Sequence, residues 1–295
     1  MEEKRPGNSD QITRDYLDSL LVEMRHLDGE VPDTTLELYG EKFNTPVMMA
    51  ALSHLNSTYP DGMVEMARGA ALAGAVNWAG MGDKEELERI TGTGARTIKI
   101  IKPYADNDLI LDKIAHAEGC GALAVGMDID HAFNGKGEYD NVLGYRMAPK
   151  SHEEIKRFAE STRLPFVVKG VLSTRDAYKC LQAGAKGIVV SHHHGIMDYA
   201  VPPLRILPEI VKAVNGEIPV FVDCGIVSGM DVFKALALGA SAVSAGRVIM
   251  PELHAHGAMG VKAQVERMTE ELKGVMARTG IRDLKHMDAS VIWNR

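Results

Sequence analysis

The chain has 295 residues, 45% hydrophobic and 25% charged, with a formal net charge of −7. This is globular composition, long enough for one large core, and its acidic balance argues against a nucleic-acid partner, which favours a basic surface. No apolar run approaches the ~18 residues of a membrane helix, and the polar start "MEEKRPGNSDQITRDYL" lacks the apolar region of a secretory signal.

Residues 1–45 read as an N-terminal extension packing on the rest of the chain. Within it "ITRDYLDSLLVEMRHL" has the spacing of an amphipathic helix, and "TTLELYGEKF" that of a small hairpin closing a barrel floor. From Pro46 onward, short and nearly all-apolar runs alternate with helix-periodic segments. The runs are "PVMMAAL" (46–52), "GAVNWAG" (74–80), "TIKII" (97–101), "ALAVGMD" (122–128), "PFVVKG" (165–170), "GIVVS" (187–191), "PVFVDCG" (219–225) and "SAVSAG" (241–246). Continuous rather than alternating hydrophobicity marks strands buried on both faces, as in a parallel sheet. Between them, Asp61, Ser173 or Thr174, and Ser228 stand as helix N-caps, with Gly74, Gly184 and Gly239 as stops. Eight such units predict an α/β fold, a (β/α)8 TIM barrel over residues 46–295. An open doubly wound sheet is the alternative, weakened because no GxGxxG follows the first strand. The Gly- and Asn-rich stretch 128–150 is too long for a bare turn and is expected to border the active site. Residues 258–280 carry the last helix. Cys120, Cys180 and Cys224 are scattered without CxxC spacing, so they are expected to be thiols in a reducing cytoplasm.

A barrel of this kind works at the carboxyl ends of its strands. Those ends carry Ser53 and His54, Asn77 and Trp78, Lys99 and Lys102, and Asp128, Asp130 and His131. The later ones carry Lys169, Ser191 to His194, Asp223, Gly225, Gly246 and Arg247. Lys169 ends the apolar run "PFVVK". It is either a lysine reaching water or a cation held against an anionic ligand, since burying it alone is costly. Gly225 and Gly246 either serve only their turns or, with Arg247, present backbone N–H groups to a phosphate. His192, His193 and His194 cannot all face one metal, because successive strand side chains point to opposite sides. One of them is expected to be a general base, oriented by Asp128 across the mouth. No metal site is expected, and His254 and His256 read as solvated loop residues.

The segments "KGVLSTRDAYKCLQAGAKGIVVSHHHG" and "PVFVDCGIVSGMDVFKALALGASAVSAGR" resemble the FMN-dependent α-hydroxy acid oxidase and dehydrogenase family, to which glycolate oxidase and lactate oxidase belong. "YGEKFNTPVMMAALS" resembles its first strand more weakly. The resemblance implies FMN as cofactor and hydride transfer to flavin N5. It makes His193 the base, Asp128 its partner and Lys169 the cation beside flavin N1. By the same resemblance, Asp223, Gly225, Gly246 and Arg247 hold ribityl and phosphate, and Ala50, Ala51 and Leu52 pack on the flavin. Asn77, Lys99 and Ser191 complete the expected cofactor set. A homo-oligomer is expected by resemblance alone.

The departures bear on substrate. The family's Ser-Asn-His-Gly motif leads to an arginine that clamps the substrate carboxylate; here "HGIMDY" follows His193 with none. A second arginine, after strand four, is replaced by "FNGKG", which offers only Lys136. The family's Gln-Leu-Tyr on strand three is "KII" or "IIK", and its threonine on strand four is Gly126. Bidentate arginine is hard to replace. The flavin half of the site is therefore retained and the carboxylate half is not. The reading is an FMN-dependent oxidoreductase acting on an atypical hydroxy-acid or alcohol-type substrate, with an unidentified electron acceptor. Lys102, Lys136 and His194 are the residues expected at the substrate. Alternatives are an FMN-dependent isomerase similar to type 2 isopentenyl diphosphate isomerase, and a non-catalytic barrel binding FMN or another phosphorylated ligand.

Overall fold

In the computed structural model, which describes residues 5–295, all eight apolar runs contain strands. They are Val47–Met49, Asn77–Ala79, Thr97–Ile101, Ala124–Asp128, Phe166–Val171, Gly187–Val190, Val220–Val222 and Ala242–Ala245, numbered one to eight in chain order. All pairings are parallel, and the hydrogen-bonded order runs one, eight, seven, six, five, four, three, two. Met49 N–H donates to the Val76 carbonyl at 3.0 Å, joining strand one back to the segment entering strand two. The sheet is thus a (β/α)8 barrel.

Alternate residues divide between two cores, as period-two geometry requires. Met48, Trp78, Ile98, Ile100, Val167, Val189, Phe221 and Ala242 form the inner cluster, where Trp78 and Phe221 meet edge-on at 5.6 Å. Their neighbours in sequence pack outward against the helices. The hairpin Leu36–Leu38 with Glu41–Phe43 closes the floor: Leu36, Leu38 and Phe43 join the inner cluster. Tyr39 Oη donates to the Lys186 carbonyl at 2.8 Å, just below strand six.

Three local expectations are corrected. The first helix, α1, is Ser9–Ser19; Leu20–Val22 is instead a strand pairing antiparallel with Ile292–Asn294. The run "LLV" gains backbone partners there that an isolated helical turn would not supply. Asp61 does not cap its helix. It adopts φ 54° and turns its carboxylate to Arg89 at 2.6 Å. The last helix spans Met250–Arg278 with a break at Gly257 (φ 56°), so His254 and His256 lie in its first turns rather than in a loop. Ser173 and Ser228 do cap, accepting from Asp176 N–H and Asp231 N–H. Among the described residues, no helix is long and apolar enough to cross a membrane.

Candidate active site

A cavity of ≈ 220 Å³ opens at the carboxyl ends of the strands. Ala50, Ala51 and Leu52 form one wall, and Lys169, His193 and His194 face it from strands five and six. Asp223 through Val227 follow strand seven, and Ser244, Gly246 and Arg247 complete the rim at strand eight. Nearly all the expected flavin-side residues are therefore brought together. Ser191 lies just beneath, its Oγ accepting the His193 N–H at 3.0 Å.

Three expected residues lie elsewhere. Ile98 and Ile100 point into the barrel, so Lys99 between them points out. There its ammonium meets the Gly80 carbonyl. Burial, with Lys113 nearby, pushes its pKa down to about 8, while Glu86 opposes that shift. Asn77 likewise faces outward and donates to Thr97 Oγ1 at 3.2 Å. Lys136 sits exposed on the long loop and does not line the cavity. The same alternation decides strand three. Lys102 is the lysine at the mouth, with Nζ 2.7 Å from Asp128 Oδ2. Gly126 has a packing reason, since any Cβ there would collide with the Val167 carbonyl.

The mouth is a balanced set of buried charges. Lys169 Nζ lies 3.3 Å from Asp128 Oδ1 and 3.4 Å from Asp223 Oδ2. Burial works to raise the Asp128 carboxyl, but Lys169 and Lys102 hold it well below the usual range. Asp223 is lowered against the same burial penalty, chiefly by Lys169. Burial in turn opposes the charge on Lys169, and Asp128 and Asp223 raise its pKa above the ordinary lysine value. Burial and Asp223 push the Cys224 thiol up, so it stays protonated and donates to Asp223 Oδ1 at 2.9 Å.

His193 is held from several sides. Its Nδ1 is 3.0 Å from Asp130 Oδ1 but 3.9 Å from Asp128 Oδ1, so Asp130 rather than Asp128 is its immediate carboxylate. Gly170 makes room for this: with φ +92°, a Cβ there would sit 2.5 Å from the Asp130 carboxyl carbon. On its other side His193 Nε2 is 2.8 Å from His131 Nε2. His193 and His194 both take left-handed conformations, φ 47° and 61°, a strain that clusters at functional sites. His192 turns away, its Nε2 2.7 Å from Thr13 Oγ1.

Sequence reasoning gave Asp130, His131, Cys224 and Asp10 no role at the base or the clamp. Asp130 and His131 lie in the 3-10 turn Asp130–Ala132 just past strand four. Their signal was an acid and a histidine at a strand end. Asp10, on α1, carries no local signal; its carboxylate lies 2.6 Å from His194 Nδ1 and 3.1 Å from Arg247 Nη2.

The family model described as FMN-dependent dehydrogenase matches residues 6–153 and 150–294. Glycolate oxidase of Spinacia oleracea is 31% identical, over 88% of this chain and 80% of its own. 4-Hydroxymandelate oxidase of Amycolatopsis orientalis is 32% identical, over 84% of this chain and 79% of its own. A solved variant of mandelate oxidase carrying a monooxide FMN adduct superposes with a TM-score of 0.89 at 33% identity, covering 98% of this chain and 92% of that one.

Proposed function

Because the chain belongs to the FMN-dependent dehydrogenase family, we propose that it oxidises an alcohol carbon of a small molecule other than a simple short 2-hydroxy acid, with His193 as base. The cavity suits the cofactor. Its Ala50, Ala51 and Leu52 wall is narrow and mostly apolar. Opposite stands a buried ammonium, that of Lys169. Among the described residues, the N–H groups of Gly225 and Ile226 donate to no protein acceptor. A Cβ at Gly246 would lie 3.1 Å from Ala50 Cβ, so the rim there stays clear only for glycine. That donor set fits a phosphorylated, anion-forming ring system.

FMN, when bound, supplies a two-electron acceptor that no side chain provides. Gly225, Gly246 and Arg247 would hold its phosphate end, and Lys169 would place positive charge against its ring. His193, whose Nε2 faces His131, is the base for the substrate proton, while Asp130 fixes the ring by accepting from Nδ1 and stabilises the imidazolium.

The substrate reading rests on one observation: both lysines at the mouth are already engaged. Lys102 is paired with Asp128, and Lys169 is shared by Asp128 and Asp223. Neither replaces a bidentate arginine for a carboxylate. The test is anaerobic mixing of the FMN-loaded protein with glycolate, lactate and mandelate, and with neutral alcohols and amino alcohols. Bleaching of the flavin by uncharged or cationic alcohols supports the reading. Fast bleaching by glycolate or lactate overturns it, and failure of the purified protein to take up FMN would remove its basis.

A further inference from the structure

We propose that the base is a histidine pair, His131 with His193, which accepts one proton as a unit. The catalytic meaning of the pair rests on His193 being the base; the pairing itself does not.

The two Nε2 atoms lie 2.8 Å apart with the rings nearly perpendicular, 79° between planes. Two lone pairs, or two N–H groups, cannot face each other at that distance, so one hydrogen stands between them. His193 Nδ1 has Asp130 Oδ1 at 3.0 Å and Lys169 Nζ at 3.3 Å; the carboxylate is the nearer, and Lys169 is already held by Asp128 and Asp223, so we assign the N–H to Nδ1. His131 Nδ1 has no hydrogen-bond partner among the described residues, and Asp140 Oδ2 waits 3.6 Å away.

These contacts rank the protonation states. In the neutral pair, His131 Nδ1 keeps a lone pair pointed toward a carboxylate. With one proton added, each ring nitrogen faces a complementary group: Nδ1–H of His193 on Asp130, one hydrogen between the Nε2 atoms, and Nδ1–H of His131 facing Asp140 at an ion-pair separation of 3.6 Å. With two added, two N–H groups collide at 2.8 Å. The charges around the pair agree. Asp128 and Asp130 at the end of strand four, Asp140 from the long loop and Asp223 from strand seven face Lys102 and Lys169 from strands three and five. The carboxylates outnumber the ammoniums, so a single positive charge on the pair is favoured. Burial and the proximity of His193 lower the His131 pKa, which disfavours a second charge. His131 is thus a positioning residue: as the pair takes up a proton at His131 Nδ1, the shared hydrogen passes to His193 Nε2, and His131 Nε2 accepts from it.

The test uses FMN-loaded protein with 15N-labelled histidine and no substrate. Side-chain nitrogen shifts are followed against pH, and signals are assigned with His131→Gln and His193→Gln. The expected result is that His131 and His193 move together through one proton uptake. In His131→Phe, His193 titrates alone, and its midpoint falls by about one to two pH units, the worth of one hydrogen bond to a charged group. His131→Gln, which keeps an acceptor, restores most of that fall, and Asp140→Asn lowers the midpoint of the pair. Separate titration of the two histidines, or an unchanged His193 midpoint in both His131→Phe and Asp140→Asn, overturns the proposal. Joint titration in a protein that bleaches with no alcohol would leave the pair standing and count against oxidation.

Discussion

Replacing Lys169 by Met removes the one ammonium that Asp223 has among the described residues. At 3.3 and 3.4 Å, each of its contacts with Asp128 and Asp223 carries roughly 5 kcal/mol at an effective dielectric constant near 20, and burial opposes most of that gain. Asp128 retains Lys102 at 2.7 Å, while Asp223 keeps only neutral partners, the Cys224 thiol at 2.9 Å and the Ser191 hydroxyl. Asp223 will then take up a proton rather than remain charged and unpaired. That escape limits the damage. Lifting a carboxyl from its ordinary pKa to the ambient pH costs about 1.4 kcal/mol per pH unit, so the loss is near 4 kcal/mol at about pH 7 and near 1.5 kcal/mol at about pH 5. The sign follows from the shifts. In the native chain both carboxyls lie below their unfolded values, so they add stability above the unfolded pKa and lose it as pH falls through the folded one. In Lys169→Met the Asp223 pKa is raised, and its penalty fades on acidification. Urea unfolding of both cofactor-free proteins at the two pH values measures this. A stability difference that does not change with pH, or one under about 1 kcal/mol at neutral pH, would refute this arrangement of charges.

Lys99→Met should leave FMN affinity unchanged within error in a fluorescence titration, because Lys99 faces away from the cavity. Its folded pKa near 8 lies below its unfolded value, so the native chain gains stability as pH rises from about 8 toward about 10. Lys99→Met should lack that gain in urea melts, and an equal rise in both would contradict the placement. Asp10→Asn releases Arg247 and His194 from their shared carboxylate. The FMN Kd should fall about threefold to fivefold, the range of a partly exposed ion pair; weaker binding would mean that Asp10 organises the clamp rather than competing for it. Gly170→Ala places a methyl against Asp130 at a φ of +92°. It should cost about 1–3 kcal/mol in chemical denaturation and lower the midpoint of the His131–His193 titration, and a neutral effect would put Asp130 elsewhere.

The barrel was legible because strands buried on both faces leave continuous apolar runs, and all eight runs hold strands. The same property hid which way each residue points. A run such as "TIKII" has no polar alternation to fix its phase, so Lys99 and Lys102 looked equivalent until Ile98 and Ile100 took the inside. The Ser173 and Ser228 caps were readable because a capping bond is local. Asp10 was not, because its partners, His194 and Arg247, lie far along the chain, in turns just past strands six and eight. Likewise "LLV" became a strand only because the far terminus offered an edge.

The departures from the family pattern gather on a few short segments, and they are coordinated. The loop after strand four contributes no arginine to the cavity lining, and its first turn brings Asp130 and His131 to His193. Strand five, in a segment that follows the family pattern, has Gly170 where a side chain would drive Asp130 away. Strand three brings Lys102 to the carboxylate that the sequence had assigned to His193, leaving Asp130 to serve the histidine instead. Three carboxylates, two ammoniums and two imidazoles stand within contact of one another at the mouth, and because buried charge costs stability, a barrel that had merely lost its chemistry would have no reason to keep them. The pattern argues for a site rebuilt around its base. On the proposed function, the substrate would bind through the base side of the mouth, where Asp130, His131 and Asp140 favour an uncharged or cationic group over an anion.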